Sequence, residues 1–206
     1  MNATWNLRDA TQADLPAIVA IYNQTIPGRM VTADLEPVSV EQRQAWFEAH
    51  SSGKHPLWVA ERDIVKPDGL KAAGFPPLRS EPEGSDRNRS ASSTSDLSVE
   101  GATKRVVGWL SYGAFHSRAA YDMTAELSIY IDEAERGRGL GRYLLERSIA
   151  HAPSIGILNL VGLIFGHNTP SLALFERFGF ARWGTLPDVA ELDGVRRTLV
   201  IVGRTV

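Results

Sequence analysis

Hydrophobic and polar positions follow two periods along this chain, and the period changes from place to place. In TQADLPAIVAIYNQTI (residues 11–26), Leu15, Ile18, Val19 and Tyr22 recur at helical spacing behind Thr11 in a capping position, which predicts an amphipathic helix. SVEQRQAWFEAH (39–50) predicts a second: Ser39 and Gln42 form an S-x-x-Q capping box, and Ala45, Trp46 and Ala49 form the side to be buried. LWVAERD (57–63) and VVGWLSYGAF (106–115), rich in aromatic and β-branched residues, read as strands. In AELSIYID (125–132) Leu127, Ile129 and Ile131 alternate with Glu126, Ser128 and Tyr130, so this strand has two different faces. A helical pattern carries Leu140, Tyr143, Leu144, Ile149 and Ala152 up to Pro153. ILNLVGLIF (157–165) is a continuous apolar run suited to a strand buried on both faces. A short helix follows, capped by Asn168 or Thr169, with Pro170 in its first turn and Gly179 as its stop. FARWGTL (180–186) and VRRTLVIVGRTV (195–206) supply the last strands.

Together these elements predict an α/β domain with a mixed sheet, its central strands 125–132 and 157–165 made parallel by the helix between them. The period fails over residues 66–104, which are crowded with Ser, Pro, Gly and charge. Such a composition buries too little apolar surface to offset an ordering entropy of roughly 1–2 kcal/mol per residue, so a mobile insertion between two strands is expected, with a partner-binding tail or a lid as the functional alternative. At 206 residues the chain suits one domain with its own core.

A formal net charge of −2 gives no electrostatic footprint for nucleic acid or an anionic membrane, and neither is expected as a partner. The absence of cysteine removes disulfides, thiolate metal sites and a cysteine nucleophile. No apolar run approaches the ~20 residues of a membrane span, and MNATWNLRDA has no basic-then-apolar signal pattern, so a soluble, cytoplasmic protein is expected. His50, His55, His116, His151 and His167 are scattered without ligand spacing, and no metal is implied. No G-x-S-x-G occurs, which leaves a serine hydrolase unsupported.

The chemistry gathers in ERGRGLG (135–141), set between the two-faced strand and the next helix. Gly137, Gly139 and Gly141 let the backbone turn tightly and let a ligand approach its N–H groups. The helix that starts there brings unpartnered N–H groups and the positive end of its dipole, which together attract an anion, usually phosphate. The spacing excludes the dinucleotide fingerprint, because Arg142 or Leu144 stands where its third glycine belongs. The triphosphate loop fails too, since the chain has no Gly-Lys pair.

What remains, RGRGLG, resembles the R/Q-x-x-G-x-G/A signature of the GNAT acetyltransferases, whose loop binds the pyrophosphate of acyl coenzyme A. LRDATQADLPAIVAIYNQTI, PVSVEQRQAWFEAH, WVAERD, VVGWLSYGAF, RAAYDMTAELSIYID and NTPSLALFERFGF also come in that family's order and spacing. The chain resembles most its phosphinothricin and methionine sulfoximine N-acetyltransferase branch, over nearly all of its length outside the insertion. The resemblance implies the GNAT fold: a mixed, mostly antiparallel sheet with a central parallel βαβ unit, flanked by helices. It further implies a homodimer, and acetyl-CoA as cosubstrate with a small amine as acceptor.

Residue by residue, the resemblance makes Glu126, in TAELSIYI, the general base that deprotonates the amine. It implies that backbone groups of Ile129, Tyr130 and Ile131 pair with the pantetheine arm, one N–H polarising the thioester carbonyl, and that Arg136, Gly137, Arg138, Gly139, Leu140, Gly141 and Arg142 hold the pyrophosphate. Asn168 matches a family contact to coenzyme A, although a helix cap is an equally physical role, and Arg177 stands at a basic position of the same helix. Arg118 and Tyr121 match the arginine and tyrosine with which the branch meets its substrate, Arg118 gripping a carboxylate. Phe175 stands where many members have a tyrosine that reprotonates the leaving thiolate. Phenylalanine cannot donate, so that proton would come from water or another side chain such as Tyr130. In VAELDGVRRT (189–198), Ala190, Leu192, Arg196 and Thr198 replace the branch's glycine, lysine, tryptophan and aspartate, which implies that the far end of the pocket, or the subunit contact near it, is altered. Two other function classes stay open beside the small-amine enzyme: a GNAT-fold module that binds acyl-CoA without turnover, and an acetyltransferase of protein amines.

Overall fold

The computed structural model of the chain describes residues 5–50, 53–65 and 102–206. Seven strands form one sheet: β1 (Asn6–Asp9), β2 (Leu57–Val65), β3 (Ala102–Ala114), β4 (Thr124–Ile131), β5 (Asn159–Phe165), β6 (Ala181–Leu192) and β7 (Val195–Thr205), in spatial order β1-β2-β3-β4-β5-β7-β6. The helices are α1 (Leu15–Asn23), α2 (Val40–Glu48), α3 (Leu140–His151) and α4 (Thr169–Arg177), with short 3-10 turns between elements. Among the described residues, 5–50, 53–62 and 105–206 belong to one compact unit. Of the insertion expected over 66–104, residues 66–101 lie outside the described residues, and 102–104 begin β3.

Alternation in the strands gives the sheet two cores. On one face Leu110, Tyr112, Leu127 and Leu160 pack with Leu144 and Leu145 of α3 and Phe175 of α4. On the other, Val59 and Trp109 pack with Ile18, Ile21 and Tyr22 of α1. The capping box at α2 is formed, Ser39 Oγ accepting from Gln42 N–H and Gln42 Oε1 accepting from Ser39 N–H. Its buried side differs from the expectation, however: Ala45 and Ala49 are exposed, and the helix rests on Trp46 and Phe47, whose larger rings bury more apolar area than a methyl group.

Strand β1 is invisible to the periodicity, since four residues with one large apolar side chain carry no pattern. Its place is held by charge. Arg8 bridges Asp14 at 2.7 Å and Glu61 of β2 at 2.6 Å. The Arg8 guanidinium, with Thr11 assisting, pulls the Asp14 carboxyl down to about 2 against the opposing effect of burial.

Strand β5 follows the expected apolar run except at Leu163, which is exposed. Gly162 lies under α4, where an added Cβ would stand 3.0 Å from Phe175 Cε1 and 3.1 Å from Val202 Cγ2. Gly162→Ala is therefore expected to cost about 1–3 kcal/mol by overpacking, read as a lower denaturant midpoint at unchanged slope.

Candidate active site

The site begins where the central parallel pair comes apart. Strands β4 and β5 pair only through Thr124↔Asn159, Ala125↔Leu160 and Glu126↔Val161. Beyond that point each pairs only on its other side, β4 with β3 and β5 with β7. The Asp132 N–H donates to Val107 O at 3.0 Å, and by alternation Tyr130, Ser128 and Glu126 direct their backbone groups to Trp109, Ser111 and Gly113 of β3. The N–H and C=O groups of Ile129 and Ile131 point the other way, into the opening. Of the three residues expected to meet an extended ligand there, Tyr130 therefore has its backbone committed to β3.

At the end of this opening the chain makes the glycine turn. Gly137 and Gly139 take φ of 74° and 92°, in the left-handed region that only glycine enters freely, and Gly139 caps α3. The six N–H groups from Gly137 to Arg142 donate to no acceptor among the described residues. Such a run at a helix N-terminus is an anion site. Its base is rigid: buried Glu135 accepts from Arg62 Nη1 at 2.8 and 2.9 Å, with Arg105 and Arg138 at 3.8 and 3.9 Å. Arg136 pairs with Glu133, whereas Arg142 is exposed with no ion pair among the described residues.

The acceptor side is a hollow on the α1 face of β3 and β4, built from three cross-strand pairs: Trp109 with Tyr130, Ser111 with Ser128, and Gly113 with Glu126. Two stacked rings 4.3 Å apart form one wall, the serines and the glycine form a low floor, and the Glu126 carboxylate stands at the other end. Glu126 is half-buried, its carboxylate has no hydrogen bond or ion pair among the described residues, and burial alone pushes its pKa up. An unpaired, desolvated carboxylate can accept a proton.

Tyr130 shares that face with Glu126 but lies about 13 Å along the strand at four residues' rise. Its ring also meets Tyr22 at 5.0 Å, and burial raises its pKa. Arg118 and Tyr121 are exposed in the β3–β4 connection, at the Glu126 end of the hollow, and the Arg118 guanidinium has no ion pair among the described residues. Asn168 has both polar atoms engaged: Oδ1 accepts from Ser171 N–H at 3.2 Å and Nδ2 donates to Met30 O at 2.9 Å. Arg177 is exposed one turn after Leu174, whose Cδ2 lies 3.3 Å from where a Cβ of Gly141 would be. Phe175 is buried in the core, its ring 4.8 Å from Phe180.

Some contributors have no signal in the sequence. Ser111, Gly113 and Ser128 become a floor only through the β3–β4 register. The loop after α1 is tied over the start of α4 by His167 Nε2–H, which donates to Arg29 O at 2.8 Å, and by the Asn168 bond to Met30. Arg29 also pairs with Asp193 in the β6–β7 turn at 2.7 Å.

Comparison with known proteins adds four findings. A model of the acetyltransferase (GNAT) family matches residues 20–180. The chain is 45% identical to the Bacillus subtilis protein named "Putative phosphinothricin acetyltransferase YwnH", across 96% of this chain and 97% of that one. It is 30% identical to the L-methionine sulfoximine/L-methionine sulfone acetyltransferase of Pseudomonas aeruginosa, across 92% of this chain and 87% of that one. Among solved structures, the GNAT superfamily phosphinothricin acetyltransferase of Sinorhizobium meliloti in complex with AcCoA superposes with a TM-score of 0.73 at 25% identity, covering 100% of this chain and 89% of that one.

Proposed function

From the premise that the chain belongs to the GNAT acetyltransferase family and is an N-acetyltransferase, we propose that it moves the acetyl group of acetyl-CoA to the primary amine of a small amino acid-like substrate, with Glu126 as general base. The observation that carries this reading is the Glu126 carboxylate, which has no ion pair among the described residues and stands on the last residue of β4 that pairs with β5.

Acetyl-CoA, when bound, supplies a thioester whose carbonyl carbon takes the amine. The residues present fit it: the free N–H groups of Gly137 to Arg142 suit a pyrophosphate, and the unpaired backbone of Ile129 and Ile131 suits an extended, amide-bearing arm. One of those N–H groups would also polarise the thioester carbonyl. A lysine-like amine has a pKa of about 10 and is protonated at neutral pH, so it must lose a proton before it can attack. Glu126 takes that proton, directly or through water. Arg118, whose guanidinium has no ion pair among the described residues, would meet a substrate carboxylate. As the C–N bond forms and the C–S bond breaks, the attacking nitrogen loses its second proton, and with Phe175 in the core and the Tyr130 hydroxyl made a weaker acid by burial, the thiolate takes its proton through water.

The substrate is expected to differ from that of the branch's named enzymes. Leu192 is buried and Arg196 exposed, while the turn between them reaches the loop after α1 through Asp193 and Arg29. A pocket whose polar partners are changed leaves substrate hydrogen bonds unmade and discriminates strongly. In a thiol-release assay with acetyl-CoA across amino acids, amines and peptides, a small amino acid is expected to be acetylated. Phosphinothricin is expected to show a kcat/KM at least about tenfold below the best amine. No release with any amine would favour a binding module, and release with peptides alone would favour a protein acetyltransferase. Phosphinothricin as best substrate would refute the assignment of Leu192, Arg196 and Thr198 to selectivity.

A further inference from the structure

Among the described residues, two of the four buried side-chain nitrogens without a hydrogen-bond partner belong to histidines, His50 Nε2 and His55 Nδ1. His50 follows α2, its Nδ1 on Trp46 O at 2.8 Å. His55 stands just before β2. Tyr112 N–H donates to Pro56 O at 2.9 Å, and Arg62 and Arg105 share Glu135 at the other ends of the strands, so β2 and β3 run antiparallel with His55 beside Gly113. Gly113 is in turn paired with Glu126. One row across three strands thus holds an imidazole, a glycine and a carboxylate. Leu57, two residues on from His55, and Trp109 belong to the core on the α1 side, which puts the row on the face of the hollow.

No side chain other than that of Glu126 crowds the glycine. A Cβ at Gly113 would meet only O and Cβ of Glu126, at 3.7 and 3.9 Å. Two strand spacings separate the His55 and Glu126 backbones by about 10 Å, a gap that a proton would cross through water.

We propose that His55 takes the substrate's proton on from Glu126 and passes it to solvent, which returns the base to its working form after each turnover. The idea rests on Glu126 being the general base. In the first step the ammonium gives its proton to the Glu126 carboxylate. In the second, the Glu126 carboxyl gives that proton through water to the free imidazole nitrogen, restoring the carboxylate and leaving an imidazolium that loses a proton to bulk water. No other reactant is consumed. The groups facing His55 are His50 from the end of α2, Lys54 and Asp122, themselves paired at 2.6 Å, and the Tyr112 backbone of β3, while Glu126 lies in the same row on the far side of Gly113. Burial is the main cause that lowers the His55 pKa, with Lys54 adding to it and Asp122 and the Tyr112 backbone opposing, so the ring is neutral and able to accept at neutral pH.

The test is His55→Gln in steady-state turnover with and without added imidazole. The expected result is a kcat about tenfold lower in dilute non-nucleophilic buffer, recovered as imidazole is added, with KM for acetyl-CoA unchanged and wild-type turnover indifferent to imidazole. A purely structural histidine would not be replaced by dissolved base. An unchanged kcat, or a loss that imidazole does not restore, overturns the proposal. Should His55→Gln fail to fold, His55→Asn, whose amide can occupy the place of Nδ1, is read the same way. If neither folds, wild-type turnover that rises with buffer concentration overturns it. Glu126→Gln run beside them separates the two readings: full turnover in that variant means the general base is wrong, whereas low turnover there with no response in His55→Gln means only the relay is wrong.

Discussion

Glu126→Gln is expected to lower kcat by about 10²- to 10⁴-fold, the range of a lost general base, with KM for acetyl-CoA moved by less than about threefold. Glutamine keeps the size of the side chain and its place opposite Gly113, and removes only the ability to take a proton. The pH dependence follows from burial, which raises the Glu126 pKa in the folded chain. The base works when ionised, so wild-type turnover should fall as pH drops through a midpoint above the ordinary glutamate value of about 4.3, and this limb should vanish in the variant. The sign for stability is opposite. A folded pKa raised above the unfolded one means that the contribution of Glu126 to stability is present below the unfolded value and lost as pH rises through the folded one. At neutral pH the desolvated charge is a liability, and the melting temperature of Glu126→Gln should equal or exceed that of wild type. Turnover within threefold of wild type would remove Glu126 from the role. A large fall in melting temperature would attribute the loss to the fold.

Gly139→Val is expected to weaken coenzyme A binding by about 10- to 100-fold with little change in the rest of the fold. Gly139 has φ of 92° and caps α3, and a β-branched residue there is strained by about 1–3 kcal/mol, close to one or two powers of ten in affinity. Valine relieves that strain by leaving the left-handed region, which turns the N–H groups of Gly137 to Arg142 away from a common point. The nearest atom to an added Cβ is Trp5 Cη2 at 3.8 Å, so the effect comes from backbone conformation rather than collision. Calorimetric titration with coenzyme A measures it, and undiminished affinity would mean that the loop is not the anion site. Unlike Glu126→Gln, this variant should act on KM for acetyl-CoA more than on kcat at saturation.

Local chemistry is legible in the amino-acid order itself. The capping box at Ser39, the two-faced strand around Glu126, the glycine turn into α3 and the Asn168 cap each depend on residues within a few positions of one another, where φ/ψ preference and side-chain hydrogen bonding decide the outcome. The parallel central pair is legible too, because a strand, helix and strand in close succession leave little choice of direction. Resemblance, rather than periodicity, singles out Glu126 and the loop as a working pair.

Long-range pairing decides the remainder. Strand β1 is too short to show a period and is held by Arg8, whose partners Asp14 and Glu61 are 6 and 53 positions away. In the sequence Ser111, Gly113 and Ser128 are ordinary small residues, and His55 one of five scattered histidines. The floor of the hollow and the row from His55 to Glu126 exist because β2, β3 and β4 meet in one register, and a shift by one residue would send every one of these side chains to the opposite face. The parting of β4 and β5 after Glu126 depends likewise on which neighbour each strand keeps. Composition and spacing along one segment determine which elements form and which carry charge or glycine, whereas register between segments is set by the summed packing of both faces of the sheet. That sum includes residues far apart in the chain, and so only the tertiary structure decided which of them share a site.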